Sequence, residues 1–351
     1  MQYTLIKGTY YVVGHSPDGD SIKFKANNPE LWKKINTDNR DVFEQSLAAN
    51  DGVVMLRLQG VDALETHYAP PKPSVPDDLK GKVSATLAEP PYISLSQPSL
   101  FGKLAAETFL KLLGFTDARW RNTPRGSYIT EVRIMVNNVS TPVKEKWKDG
   151  VPGTIVTGDM EKNGRPISWV FAGEAPVTDG SPVSNDQLAE LATGSTNYQL
   201  LKMGLIHPLY YMTLAGKLRR KLDEAVQIAQ QAAANTPTVP NIWLADQSTK
   251  GITLTTLKAL TDELIIYPDL FRRILRHYQA NQMRAYWNAL RANASSYTPP
   301  ATFALNSMFE GANPYMFVVS DQDFVRLADI LEVSENSLRM KKSPHDLVFL
   351  S

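Results

Sequence analysis

The chain has 351 residues, 43% apolar and 21% charged, which is ordinary for a globular protein able to bury a sizeable core. Lys and Arg number 37 against 36 Asp and Glu; the formal net charge of +1 excludes the global basic field of a tight nonspecific nucleic-acid binder and leaves only local phosphate contacts. With no cysteine, disulfides, thiolate catalysis and cysteine-ligated zinc are excluded. The length sets a soft prior of two domains.

In chain order, residues 2–14 are rich in Tyr, Val and Ile and read as a strand. Asp18-Gly19 turns the chain into the alternating run Ser21–Lys25, a hairpin. Asn28-Pro29 starts a helix, Asp41–Ala49 forms a second short one, and Val53–Leu58 is the next strand. Residues 69–98 hold seven prolines (Pro70, Pro71, Pro73, Pro76, Pro90, Pro91 and Pro98), a density that defeats helix interiors and central strands alike. They read as a long inserted loop, placed by its exit after Glu65 to overhang whatever lies there.

Phe101–Leu113 has helical spacing and stops at Gly114. Tyr128–Val136 alternates as a strand, residues 139–160 read as a second insertion with a turn at Gly150–Gly153, and Ile167–Phe171 is a strand. Gly173–Asn185 is loop-rich. Tyr211–Ala234 is a long helix, stopped by Thr236-Pro237-Thr238-Val239-Pro240. Beyond about residue 250, Thr255–Glu263 and Asp269–Arg291 read as helices, Tyr315–Val319 as a strand, Gln322–Leu331 as a helix and Leu347–Leu350 as a strand. This suggests a separate helical or α+β module over 251–351. No basic segment followed by an apolar one marks a leader, and no apolar run approaches a membrane span. A cytoplasmic location is expected, or secretion if a leader has been removed.

The chemistry concentrates in two places. Asp18-Gly19-Asp20 precedes one strand, and Arg57 through Asp62 to Glu65 leaves another. Two carboxylates brought together from different strands suit a hard cation, which prefers oxygen ligands. A guanidinium beside them suits a phosphate, which it clamps with paired hydrogen bonds. A spare carboxylate completes the requirements for cutting a phosphodiester.

That order of residues resembles the staphylococcal nuclease (thermonuclease) family. The matching pieces are Asp18-Gly19-Asp20-Ser21, Arg57–Glu65, Asn163-Gly164-Arg165, the helix Phe101–Glu107, Asn197–Leu205, Asp223–Ala225 and Asn241-Ile242-Trp243. All are collinear, within residues 1–250. The resemblance implies an α+β fold: a small β-barrel of the oligonucleotide-binding type with packed helices, followed by the unassigned module. It implies Ca²⁺ bound by Asp20, Asp62 and the Ala63 carbonyl, where the family usually has threonine. It implies Glu65 as general base and Arg57 and Arg165 as stabilisers of the transition state. Lys162 and Tyr210 would contact substrate. The implied activity is hydrolysis of DNA or RNA, single strands preferred, with little sequence specificity. Neither a membrane nor a stable protein partner is indicated.

Taken singly, each motif has an ordinary explanation. Asp18-Gly19-Asp20 is a common hairpin turn, and Arg57 with Asp62 could form a surface ion pair worth little. The run Phe271–Tyr278 mixes cations and aromatics, either as an auxiliary nucleic-acid surface or as a core face with a solvated basic side. His67, two residues past Glu65, has no zinc-helix partner. The alternative to a nuclease is a catalytically weak nucleic-acid-binding or scaffold protein on the same fold.

Overall fold

The computed structural model describes residues 2–81, 87–123, 126–237, 240–298, 300, 303–309 and 313–350. Residues 82–86 of the expected loop and 238–239 of the expected helix stop lie outside them.

Five strands close into a mixed β-barrel. They are β1 (Tyr3–Tyr11), β2 (Ser21–Ala26) and β3 (Val53–Leu58), then β8 (Val151–Met160) and β9 (Pro166–Ala172). Four barrel contacts are antiparallel; β3–β9 is parallel, with Arg57 opposite Ile167. The long β1 closes the ring by pairing with both β2 and β8. Gly8 faces Gly153 there, and the chains pack too closely for side chains: a Cβ on Gly8 would lie 2.2 Å from the Lys25 carbonyl oxygen and one on Gly153 1.9 Å from the Tyr10 ring. Tyr3, Leu5, Tyr10, Phe24, Leu56, Ile155 and Trp169 fill the interior.

Residues 139–160 are therefore not an insertion turning at Gly150–Gly153. Val151–Met160 is a barrel strand buried on both faces, which removes the alternation that marks a half-exposed strand. Before it, β5 (Thr116–Thr123), β6 (Gly126–Val136) and β7 (Val139–Val143) form a separate three-stranded sheet.

Around the barrel lie α1 (Arg40–Ala49), α2 (Ser99–Leu113), α3 (Asn185–Leu191), α4 (Thr196–Lys202) and α5 (Gly216–Asn235). Gly114, at φ +102°, ends α2 in the left-handed conformation that glycine adopts without strain. The helix expected from Tyr211 begins instead at Gly216. The short strand β4 (Val61–Asp62) pairs with β11 (His207–Pro208), while β10 (Pro182–Val183) adds to the edge of β1.

The C-terminal segment builds a second apolar core from α7 (Leu257–Asp262), α8 (Pro268–Arg291) and two small sheets, while Ile242 of α6 (Ile242–Ala245) packs with Leu64 and Phe101. One sheet joins β13 (Ile252–Thr253), β17 (Ser337–Met340) and β16 (Leu331–Val333). The other orders β12 (Tyr210–Tyr211), β18 (Leu347–Phe349), β14 (Tyr315–Val318) and β15 (Asp323–Arg326). Strand pairing thus crosses residue 250, since Tyr210 lies opposite Val348. The helix expected over Gln322–Leu331 is β15 followed by a 3₁₀ turn over Leu327–Ile330, because Asp323–Arg326 pairs along β14. On α8, Leu270, Phe271, Ile274 and Leu275 are buried, which gives the helix its core face.

Candidate active site

The site forms where β2 begins and β3 ends. Register places Ser21 opposite Arg57, so Asp20, one residue earlier, sits beside that arginine. The Leu58 N–H donates to the Asp20 carbonyl at 2.8 Å, tying the two strand ends together. The turn after β3 is held from behind by a buried polar network. The Asn197 amide donates to the Gln59 and Ser168 carbonyls at 2.9 and 3.1 Å, and Trp169 Nε1 donates to Gln59 Oε1 at 2.7 Å. Gly60 takes φ +78°, and a Cβ there would lie 2.3 Å from Leu222. The chain then enters β4, which carries Asp62.

Arg57 bridges the two aspartates. Its Nη1 is 2.6 Å from Asp20 Oδ2, and its Nη2 is 2.6 Å from Asp62 Oδ1. The Ala63 N–H also donates to Asp20 Oδ2, at 2.8 Å. Ala63, expected to offer its carbonyl to a metal, thus engages the cluster through its amide. Glu65 is fixed by Gln97, at the neck of the proline-rich loop. The Glu65 N–H donates to Gln97 Oε1 at 3.1 Å, and the Gln97 N–H donates to the Glu65 carbonyl at 2.8 Å.

A second arginine completes the cluster from the far end of the chain. Arg272, near the start of α8, places Nη1 2.6 Å from Glu65 Oε1 and 3.0 Å from Asp62 Oδ1, and Nη2 2.8 Å from Asp62 Oδ2. Gln97 steadies this approach by donating Nε2 to the Ile266 carbonyl at 2.7 Å. The sequence points to Arg272 only as one cation in a basic run.

Three carboxyl groups face two guanidinium groups, so the cluster balances when one of the three keeps its proton. Burial pushes the Asp20 carboxyl up to about 8, against the pull of Arg57. Burial also opposes ionisation of Asp62, but Arg272 and Arg57 outweigh it and hold that carboxyl below its ordinary range. Glu65 is raised, burial prevailing over Arg272. Asp62 is fully buried, Asp20 is 2% exposed, and its Oδ1 has no hydrogen-bond partner among the described residues.

The remaining expected site residues stand apart. Arg165 turns to Glu161, with one contact at 3.0 Å, rather than to the cluster. Lys162 is exposed on the preceding turn, where its carbonyl accepts from Asn39 Nδ2 at 2.9 Å. Tyr210 is fully buried and donates its hydroxyl to Asp223 Oδ1 at 2.8 Å, so its ring has no free face for a base. Its neighbour Tyr211 is 41% exposed. Burial, then Asp269 and Asp62, raise the Tyr211 phenol, which puts it within electrostatic reach of the cluster.

The proline-rich loop is pinned along α8. Tyr68 and Leu95 exchange backbone hydrogen bonds at its neck, Ile93 N–H donates to Gln279 at 3.0 Å, and Asp78 pairs with Arg291. Cations of the basic run of α8 are engaged by neighbouring side chains. Arg273 binds Asp269 at 2.6 Å, and Arg276 donates to the Tyr68 hydroxyl at 2.6 Å.

The Ca²⁺ implied by the resemblance does not fit these residues as arranged. Both Asp62 oxygens and one Glu65 oxygen are held by guanidinium groups. Among the described residues no three His, Cys, Asp or Glu side chains are grouped to hold a metal ion. The chain matches no model of a known protein family, and no curated protein matches it in sequence.

Proposed function

We propose that the protein is a phosphodiesterase of the staphylococcal nuclease type, acting on single-stranded DNA or RNA at a barrel of the oligonucleotide-binding kind. The observation that carries this reading is the convergence of Asp20 with Arg57, Asp62 and Glu65, from two separated segments, into one cluster. In this reading Glu65 takes a proton from the attacking water, whose oxygen bonds to phosphorus as the P–O5′ bond breaks. The leaving oxygen is protonated from solvent. A carboxyl raised by burial is a better base nearer neutrality. Arg57 stays charged at any physiological pH and has N–H groups left to meet the charge that builds on the phosphate oxygens. Asp20 and Asp62 hold that guanidinium in place.

A second reading is a catalytically silent nucleic-acid-binding or scaffold protein. It is favoured by the engagement of Asp62 and Glu65 by Arg272 and by the turn of Arg165 toward Glu161. Digestion of labelled single-stranded oligonucleotides by the full chain separates the two. The phosphodiesterase reading expects fragments from the wild-type chain and none from Glu65→Ala. Cleavage indifferent to that substitution would reject this site. Binding without cleavage under every condition would select the second reading.

A further inference from the structure

We infer that Lys23 and Lys146 hold a backbone phosphate of a single-stranded nucleic acid on the outer face of β1 and β2, beside the cluster. The inference deepens the reading above and rests on it for the identity of the strand, but its test reads binding and needs no cleavage.

Strand register lays out this surface. Ser21, Lys23 and Lys25 share one face of β2; on β3, Arg57 and Met55 stand opposite Ser21 and Lys23. Lys23 is two residues past Ser21, about 7 Å along the strand from the level of Arg57. On its other side Lys23 is opposite Tyr11, at the end of β1. The Tyr11 ring meets Trp147 edge-on, with centroids 5.2 Å apart, and the Lys146 ammonium sits 4.5 Å from the centre of the Trp147 ring. His15 lies against the same indole, also at 5.2 Å.

The charge here is unpaired. The neighbouring Lys144 and Lys148 reach Glu131 at 3.2 Å and Glu145 at 2.8 Å. Among the described residues no ion pair engages Lys23 or Lys146. Burial, then Lys146, hold the Lys23 ammonium below its ordinary range. Burial, Lys23 and Lys146 push His15 down to about 4, so both lysines lie within electrostatic reach of one neutral imidazole. His15 Nε2 is buried with no hydrogen-bond partner among the described residues. Like charges set together without a counterion are relieved by a bound anion.

The backbone is strained at the same place. Trp147 takes φ +67°, a left-handed conformation that a bulky residue adopts only at a cost. Asp149 anchors the loop to the end of β1, its Oδ2 accepting from the Val12 and Val13 amides at 2.5 and 2.8 Å. The indole then carries Lys146 on its ring and limits the freedom of that long side chain before any ligand arrives. The occupant follows from the order of cations. Arg57, Lys23 and Lys25 succeed one another along the sheet, which matches the repeated charge of a strand; a free phosphate would fill a single position.

Anisotropy of a labelled single-stranded oligonucleotide with the full chain, read across a salt series while the strand is intact, tests this. Combining Lys23→Gln with Lys146→Gln should weaken binding by about tenfold and flatten the salt slope by about 0.7, the share of one phosphate contact. Combining Lys33→Gln with Lys258→Gln removes equal charge from lysines paired with Glu30 and Asp262, and should change neither. Lys146→Gln alone, at an exposed side chain, carries the test with a smaller loss should the first pair not fold. No binding by the wild-type chain, equal affinity and slope in the Lys23 and Lys146 variant, or an equal loss in the control would overturn the inference. So would inorganic phosphate that binds as tightly as the strand. Cleavage by a chain whose binding ignores both lysines would remove this subsite and leave the phosphodiesterase reading standing. The expected loss of binding in a chain that cuts nothing would do the reverse.

Discussion

Arg272 and Asp62 stand 210 positions apart and are joined by a two-pronged ion pair, Nη2 to Oδ2 at 2.8 Å and Nη1 to Oδ1 at 3.0 Å. Arg57 takes Oδ1 of the same carboxylate from the other side, at 2.6 Å. Asp62 is therefore the hinge of the cluster: it connects the barrel to the C-terminal core, and its own charge is satisfied twice.

Removing Arg57 leaves Asp62 with one partner and Asp20 with only the Ala63 amide. Breaking a buried pair by deleting one member typically costs about 3–5 kcal/mol. Arg57→Ala should lose stability on that scale in urea unfolding, and adding Asp20→Asn should restore part of the loss. A double variant no more stable than Arg57→Ala would show that Asp20 is not the stranded charge.

The two adjacent tyrosines should separate cleanly. Tyr210→Phe removes a buried hydrogen bond to Asp223 and should cost about 1 kcal/mol without changing oligonucleotide affinity. Tyr211→Ala, at a partly exposed ring packed on Phe349, should leave stability near wild type. It should weaken single-strand binding by about 1–3 kcal/mol if the ring stacks on a base. Fluorescence anisotropy with a labelled oligonucleotide reads both.

Asp223 carries a pH signature. Burial raises its carboxyl from 3.8 to about 6, against the Tyr210 hydroxyl. The native state therefore binds this proton more readily than the unfolded chain, and the contribution to stability falls as pH rises from about 4 to about 6. Asp223→Asn does not titrate. Relative to wild type it should gain on the order of 1 kcal/mol between pH 4 and pH 7, because water screens a partly exposed carboxylate. Thermal melts at the two pH values measure this; a flat difference would contradict it.

Gly153 tests the barrel. A Cβ there meets the Tyr10 ring at 1.9 Å, and Tyr10 is fully buried with its hydroxyl on the Thr154 carbonyl at 2.8 Å. Gly153→Ala must displace that ring or open β1 from β8, at a cost of about 1–3 kcal/mol or more. A well-folded variant of unchanged melting temperature would show that the closure is looser than described.

The parts of this fold written in local pattern were legible in the sequence. Val53–Leu58 alternates, α2 ends at a glycine, and α8 carries buried residues at helical spacing. Val151–Met160 was not, because a strand covered on both faces shows no alternation, and Pro152-Gly153 reads as a turn. Gln322–Leu331 misled through helical spacing that tertiary pairing to β14 overrides. In the site, Asp20, Arg57, Asp62 and Glu65 could be singled out because their order along the chain resembles the nuclease family's motifs; taken singly, each reads as a turn or an ion pair at a strand end. Arg272 could not be assigned to them. Its contact depends on how α8 docks, and a cation next to Asp269 looks solvated until the second core is assembled.

The central claim is that these clustered carboxylates and guanidinium groups cut phosphodiesters. Its most direct measurement is the rate at which Glu65→Gln cleaves a single-stranded oligonucleotide, compared with wild type at the same Ca²⁺ concentration. Loss of the base should lower the rate by about 10²–10⁴-fold with binding retained. Equal rates in the two proteins, or no cleavage by the wild-type chain in any metal, would contradict it.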